Sequence, residues 1–252
     1  MITYVDLATA REASGTRMTV VGVVPSPWSE AAKGIFRIAK LPVAAVRTMP
    51  GDREVPAWTG VDNAPVVMHD KEPPRTSWAA IVGLVARLAP GAILPIDPAS
   101  RAEAMGLLDL IAGEDGLGWN GRLAMIHAGL TTQGARGFAP QVAGFLARRY
   151  GYTPAGFEGV RARVESQLAV LARHLGANAY LGGDRPSAVD VYAATFLTPL
   201  VAIAEADCPK MSAPLRQGFR SAAEDLGPLV PAPLFELRAR MFERHLAWPL
   251  EI

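Results

Sequence analysis

Residues 23–34 read VVPSPWSEAAKG, and the fold turns on them. The short β-branched run MTVVGVV (18–24) stops at Pro25 and has the character of a buried strand. A Ser26-Pro27-Trp28-Ser29 turn follows. Beyond it Ala31, Ile35 and Ile38 recur at helical spacing, so residues 29–39 form a helix. Ser26 followed by proline has the form of an N-cap ahead of the first helical position. Its place is special in another way. A hydroxyl at the carboxyl end of a first strand, where a helix begins, sits on the edge of an α/β sheet that favours ligands, beside free helix amides that suit an anion.

Outward from this stretch, LPVAAVRT (41–48) is a second strand one short crossover later, which makes a parallel βαβ unit. Residues 49–62 are polar and turn-rich, APVVMH (64–69) is a third strand, and DKEPPRT is a turn that two prolines keep from being more than a short edge. Ser77 caps a helix reaching Leu88, with Ile81, Leu84, Val85 and Leu88 on one face. APGAILPIDPAS (89–100) breaks the pattern and marks a linker. Past it the spacing predicts only helices, near 99–113, 119–130, 138–150, 154–176, 188–206, 212–225 and 233–246. The expected organisation is an extension (1–17), an α/β domain (18–88), the linker (89–100) and an all-helical domain (101–252).

Composition narrows the function classes. Twenty-five basic residues against 24 acidic ones leave a net charge of +1, with no basic stripe for nucleic acid. The lone cysteine, Cys208, cannot close an internal disulfide, which fits a reducing cytoplasm. The start lacks a secretory pattern, and no apolar run has the length of a membrane span. GLGWNG (116–121) matches a dinucleotide fingerprint in letters, but it falls between two helices with no strand before it, so it is a loop. The four histidines have no metal-ligand spacing, and no metal is expected. Ser187 and Asp190 in SAVD have the spacing of a capping box, a structural device.

Four stretches together resemble the cytosolic glutathione transferase family, in the bacterial type with serine at the catalytic turn. VVPSPWSEAAKGIFRIAKLP (23–42) looks like its first strand, catalytic turn and first helix. NAPVV (63–67) looks like its cis-proline segment, RTSWAAIVGLVARL (75–88) like its serine-led third helix, and AYLGGDRPSAVDVYAATFL (179–197) like its G-x-x-P-S-x-x-D segment. They stand in the family's order across nearly the whole chain. The resemblance implies a thioredoxin-like N-terminal domain that binds glutathione and an all-α C-terminal domain that forms most of a hydrophobic substrate pocket. It implies that the Ser26 hydroxyl donates to the glutathione sulfur. It also implies that Ala64, ahead of a cis Pro65, pairs its backbone with glutathione, and that Thr76 and Ser77 hold the γ-glutamyl carboxylate. Thr76 stands where the family usually has an acidic residue.

Trp28 would line the substrate wall or anchor the first helix in the core, and the pocket would draw further on residues near Trp119, Met125, Phe138 and the C-terminal helices. Lys40, Arg47 and Arg53 are candidates for the glycyl carboxylate. The partner would be a hydrophobic electrophilic small molecule, and the chain would form a homodimer. The reaction could be conjugation, dehalogenation, ether cleavage or isomerisation. The alternative is a fold kept as a binding or interaction module without turnover. A dithiol redox role is excluded, because Ser26 and Ser29 occupy both ends of the turn where cysteines would be needed.

Overall fold

The computed structural model describes residues 1–252. Strands β1 (Ile2–Tyr4), β2 (Thr16–Val21), β3 (Val43–Thr48) and β4 (Val66–His69) form one sheet in the order β1-β3-β2-β4. The expected βαβ unit is there: β2 and β3 run parallel, Met18 opposite Ala45, joined through helix α2 (Pro27–Ile38). β4 returns antiparallel to β2. DKEPPRT forms a turn whose Arg75 makes a single bridge to Val67, so its prolines do limit the edge.

Residues 1–17, read from sequence as an extension, are built into this layer. β1 pairs in parallel with β3, and α1 (Leu7–Glu12) packs Ala10 against Val46 and Val55. Val55 belongs to α3 (Glu54–Thr59), inside a stretch the sequence showed only as turn-rich. A six-residue helix carrying Pro56 is too short to display a period. Ser77 caps α4 (Trp78–Leu88), its hydroxyl accepting from the Ala80 amide at 3.3 Å.

The remaining helices are α5 (Pro98–Ala112), α6 (Leu117–Thr131), α7 (Pro140–Arg149), α8 (Pro154–Phe157), α9 (Val160–Leu175), α10 (Ala188–Leu197), α11 (Ala213–Leu226) and α12 (Ala232–Arg244). Two expected helices are shorter than their periodicity suggested. The 154–176 pattern is cut by Gly159, which adopts φ +79° and lets the chain turn between α8 and α9. The 188–206 pattern ends at Leu197, because Pro199 cannot continue the α-helical ladder and the chain tightens into a 3₁₀ turn. GLGWNG is not the loop expected: Gly116 is the N-cap of α6 and Leu117–Gly121 form its first turn, with no strand beside it. No helix is long and apolar enough to cross a membrane.

One continuous apolar core joins the sheet layer to the helices, from Met18 and Phe36 to Tyr192, Phe196 and Leu237. α10 lies at its centre, with every residue buried, against α2, α5 and α12. Gly34 lets α2 approach it: a Cβ there would come within 2.5 Å of Val191 and 2.9 Å of Leu246. We expect Gly34→Val to cost about 2–3 kcal/mol in urea denaturation through overpacking. Gly83→Ala, on α4 where an added Cβ meets nothing within 4 Å, should gain up to about 1 kcal/mol. Equal effects at the two sites would reject close packing at Gly34 as the cause.

The chain termini meet at α2. Glu30 and Lys33 form a buried ion pair at 2.8 Å. Lys33 Nζ also donates to the Glu251 carbonyl at 2.7 Å and to the Tyr4 hydroxyl, and Tyr4 donates to Glu251 in turn. The tail AWPLEI thus closes over the same helix that begins at Ser26.

Candidate functional site

The carboxyl end of β2 faces a cleft of ≈ 1120 Å³ between the sheet layer and the helices. Its sheet-side wall is built from Val23, Ser26, Trp28, Ala64, Pro65, Thr76, Ser77 and neighbours. The opposite wall comes from α6, α7, α11 and the segment between α6 and α7. Of the candidates named from sequence, Ser26, Trp28, Ala64, Pro65, Thr76, Ser77, Trp119 and Phe138 line this one cleft, and Met125, Lys40, Arg47 and Arg53 do not.

Ser26 occupies the N-cap position of α2 but does not cap it. At φ −65°, ψ 121° its hydroxyl makes no hydrogen bond to the first turn. Its backbone carries the connection, the carbonyl accepting from Glu30 and the amide donating to Val24. The residue is only 6% exposed and lines the cleft. Helix α2 therefore starts with a hydroxyl free to donate and with first-turn amides that Pro27 does not consume. Ser29 differs: fully buried, it accepts from the Val21 amide at 3.2 Å and ties the helix to β2.

The Ala64–Pro65 bond is cis, as the resemblance implied. Asn63 beside it donates through Nδ2 to the Thr76 carbonyl at 3.3 Å and accepts from Arg149 Nη2 at 2.9 Å, and Arg149 also reaches the Asp62 carbonyl. This chain of bonds ties α7 to the proline loop and to the start of α4.

Trp28 anchors α2 in the core and also borders the cleft. Its Nε1 donates to the Ala112 carbonyl at 3.3 Å and its ring meets Phe196 edge-on at 4.8 Å, while part of it lines the cleft. Trp119 is on the opposite wall, 4.6 Å from Tyr150. Met125 is not a pocket residue. It is 3% exposed, because the segment after α6 folds back over it and Phe138 donates its amide to the Met125 carbonyl. Phe138, not Met125, reaches the cleft.

None of the three basic candidates reaches it either. Arg47 lies over the Tyr4 ring at 3.6 Å, Arg53 stands at the start of α3, and Lys40 follows the far end of α2. The cations lining the cleft are Arg122 and Arg149, from the helical part. Their sequence positions carried no signal, since helix periodicity does not say which polar residues face another layer. His69 is bonded to Thr16, at the opposite end of β2 from the cleft.

A family model for the glutathione S-transferase C-terminal domain matches residues 154–224. The whole fold matches a glutathione transferase family member from Pseudomonas fluorescens with two glutathione bound, at TM-score 0.64 and 17% identity, over 94% of this chain and 93% of that one. The chain has the fold of a glutathione S-transferase. Within that fold residues 154–224 of the helical part match the C-terminal-domain model, and the sheet layer takes the place of the thioredoxin-like half. A glutathione transferase from Pseudomonas putida, with one glutathione disulfide bound per subunit, matches at TM-score 0.62 and 15% identity over 95% of both chains. A glutathione S-transferase from Methylobacterium radiotolerans, in complex with glutathione sulfonate, matches at TM-score 0.58 and 19% identity, over 94% of this chain and 97% of that one. A search of curated protein sequences finds no match.

Proposed function

We propose that the protein binds glutathione in this cleft and presents its sulfur, as a thiolate, to an electrophilic small molecule held against the helical wall. One observation carries the reading: the Ser26 hydroxyl, unused by helix α2, opens into the cleft that also holds the Ala64–Pro65 turn and the start of α4. Structural relatives that hold glutathione, its disulfide or its sulfonate support it.

In this reading the backbone at Ala64, beside the cis Pro65, pairs with the cysteinyl part of glutathione. The first turn of α4, at Ser77, receives the γ-glutamyl carboxylate, where free amides and the positive helix end favour an anion. The Ser26 hydroxyl donates to the sulfur. A free cysteine thiol titrates near about 8.5, so little of it is thiolate at neutral pH. Lowering that by two units takes roughly 2.7 kcal/mol, which is the order of one hydrogen bond to a charged acceptor plus a helix N-terminus. The apolar walls at Trp28, Trp119 and Phe138 keep water from the thiolate and hold the electrophile. The reading carries with it a cytoplasmic location and a homodimer, the latter checked by sedimentation.

The test is calorimetric titration with glutathione. Binding at millimolar concentration or tighter, with one site per chain, is expected. No binding in that range would remove the glutathione reading and leave a fold retained for another ligand or for interaction without turnover.

A further inference from the structure

Arg122 has no acceptor. It projects from α6 into the cleft, and its guanidinium lies 5.8 Å from the Trp28 ring centre, 5.3 Å from Phe138 and 5.9 Å from Tyr150. It makes no hydrogen bond and no ion pair with the chain, although Asp52, Asp62 and Glu114 line the same cleft, and none of its nitrogens is sealed from solvent. The other cleft arginine, Arg149, is committed to Asp62 and Asn63. Arg136, just beyond α6, is committed to Glu224 and Asp225.

Three aromatic faces hold the Arg122 cation in place and give it weak compensation for lost water. They supply no anion. A half-buried guanidinium presents a planar fork of donors whose best complement is a carboxylate. The surrounding rings supply flat apolar surface next to that fork.

We propose that the second ligand of the cleft is an aromatic or similarly flat molecule bearing an anionic group, a carboxylate above all, with Arg122 as the residue that selects it. The inference deepens the glutathione reading and rests on it for the nucleophile. Arg122 determines specificity: it sets which electrophiles seat themselves and in which orientation. In a largely apolar pocket a few placed polar groups do this. Neutral electrophiles of the same shape bind less well, and cationic ones are rejected.

The experiment compares naphthoate with its neutral isostere naphthamide, in the presence of saturating glutathione, followed by calorimetry and by quenching of tryptophan fluorescence. Wild type is expected to bind naphthoate about tenfold more tightly or better, a difference of about 1.4 kcal/mol. Arg122→Met keeps an unbranched stem against the rings and removes the charge. It should bring the two affinities within about threefold while leaving glutathione affinity unchanged. The proposal is overturned if wild type does not prefer the acid, or if the preference survives in Arg122→Met. It is also overturned if naphthoate only displaces glutathione, or if the variant loses glutathione affinity, since Arg122 would then serve glutathione itself. The wild-type comparison needs no variant to fold. Repeated without glutathione, it reads the charge preference even if glutathione does not bind, so the two readings fail separately.

Discussion

Replacing Asp190 with alanine is expected to cost about 3–5 kcal/mol of stability and to lower the Tm by roughly 10 °C. The carboxylate is fully buried at the first turn of α10. One oxygen accepts from the Leu181 amide. The other accepts from the amides of Gly182 and Ser187 and from the Ser187 hydroxyl. Burial pushes this carboxyl above its usual pKa, and the donors from Ser187, Leu181 and Gly182 oppose that shift. Removing the side chain strands four donors where water has little access, and each such group costs about 1–3 kcal/mol when left unpaired. The damage spreads, because the loop they hold also fixes the linker: Ala188 donates to the Ile93 carbonyl and Arg185 to Gly91. Equilibrium denaturation of Asp190→Ala measures it. A loss below about 1 kcal/mol would mean that water replaces the carboxylate and that Asp190 is not the pin of this corner.

The second large effect is on chemistry, not stability. Ser26→Ala is expected to raise the pKa of bound glutathione by one to two units, and to lower kcat/KM about 10- to 100-fold for a thiolate-dependent reaction at neutral pH. The hydrogen bond lost is one to a charged sulfur, worth about 1.5–3 kcal/mol. The stability of the ligand-free protein should change by less than about 0.5 kcal/mol, whereas loss of an ordinary serine N-cap costs about 1 kcal/mol. The distinction follows from the geometry, since the Ser26 hydroxyl makes no bond to its own helix. Following thiolate ultraviolet absorbance across pH in wild type and variant decides the matter. Identical titration of the bound thiol in both would leave Ser26 without a role in ionisation.

The contrast between these two serine-and-helix corners shows what local sequence conveys. Ser187 and Asp190 were legible as a capping box because the motif is completed within one turn of chain. Ser26 had the same outward form and is not a cap, because cap geometry depends on how the preceding strand delivers the residue. The three strands of the first half and the βαβ unit were readable from short β-branched apolar runs and their spacing. β1, α3 and the C-terminal tail were not. They are short, and each is held by partners far along the chain, such as Tyr4 with Glu251 and Ala10 with Val55. Met125 and Arg122 make the same point on one helix. Both sit in a helix that buries six of its fifteen residues and leaves most of the others half-buried, so its periodicity does not tell a core position from a cleft position.

The sequence by itself determined the order of parts: a strand-turn-helix opening, a sheet layer, a proline-rich break and a run of helices, with Ser26, Ala64, Pro65, Thr76 and Ser77 at element boundaries. These features rest on local propensity, periodicity and turn chemistry, which act over a few residues. Only the tertiary structure decided that those boundaries converge on one cleft with Trp28, Trp119 and Phe138. The same holds for the free Ser26 hydroxyl, the burial of Met125, and the placement of Arg122, not Lys40, Arg47 or Arg53, as the unpaired cation. Those outcomes depend on which faces of distant elements meet when the common core closes, and no window of sequence contains both sides of that contact.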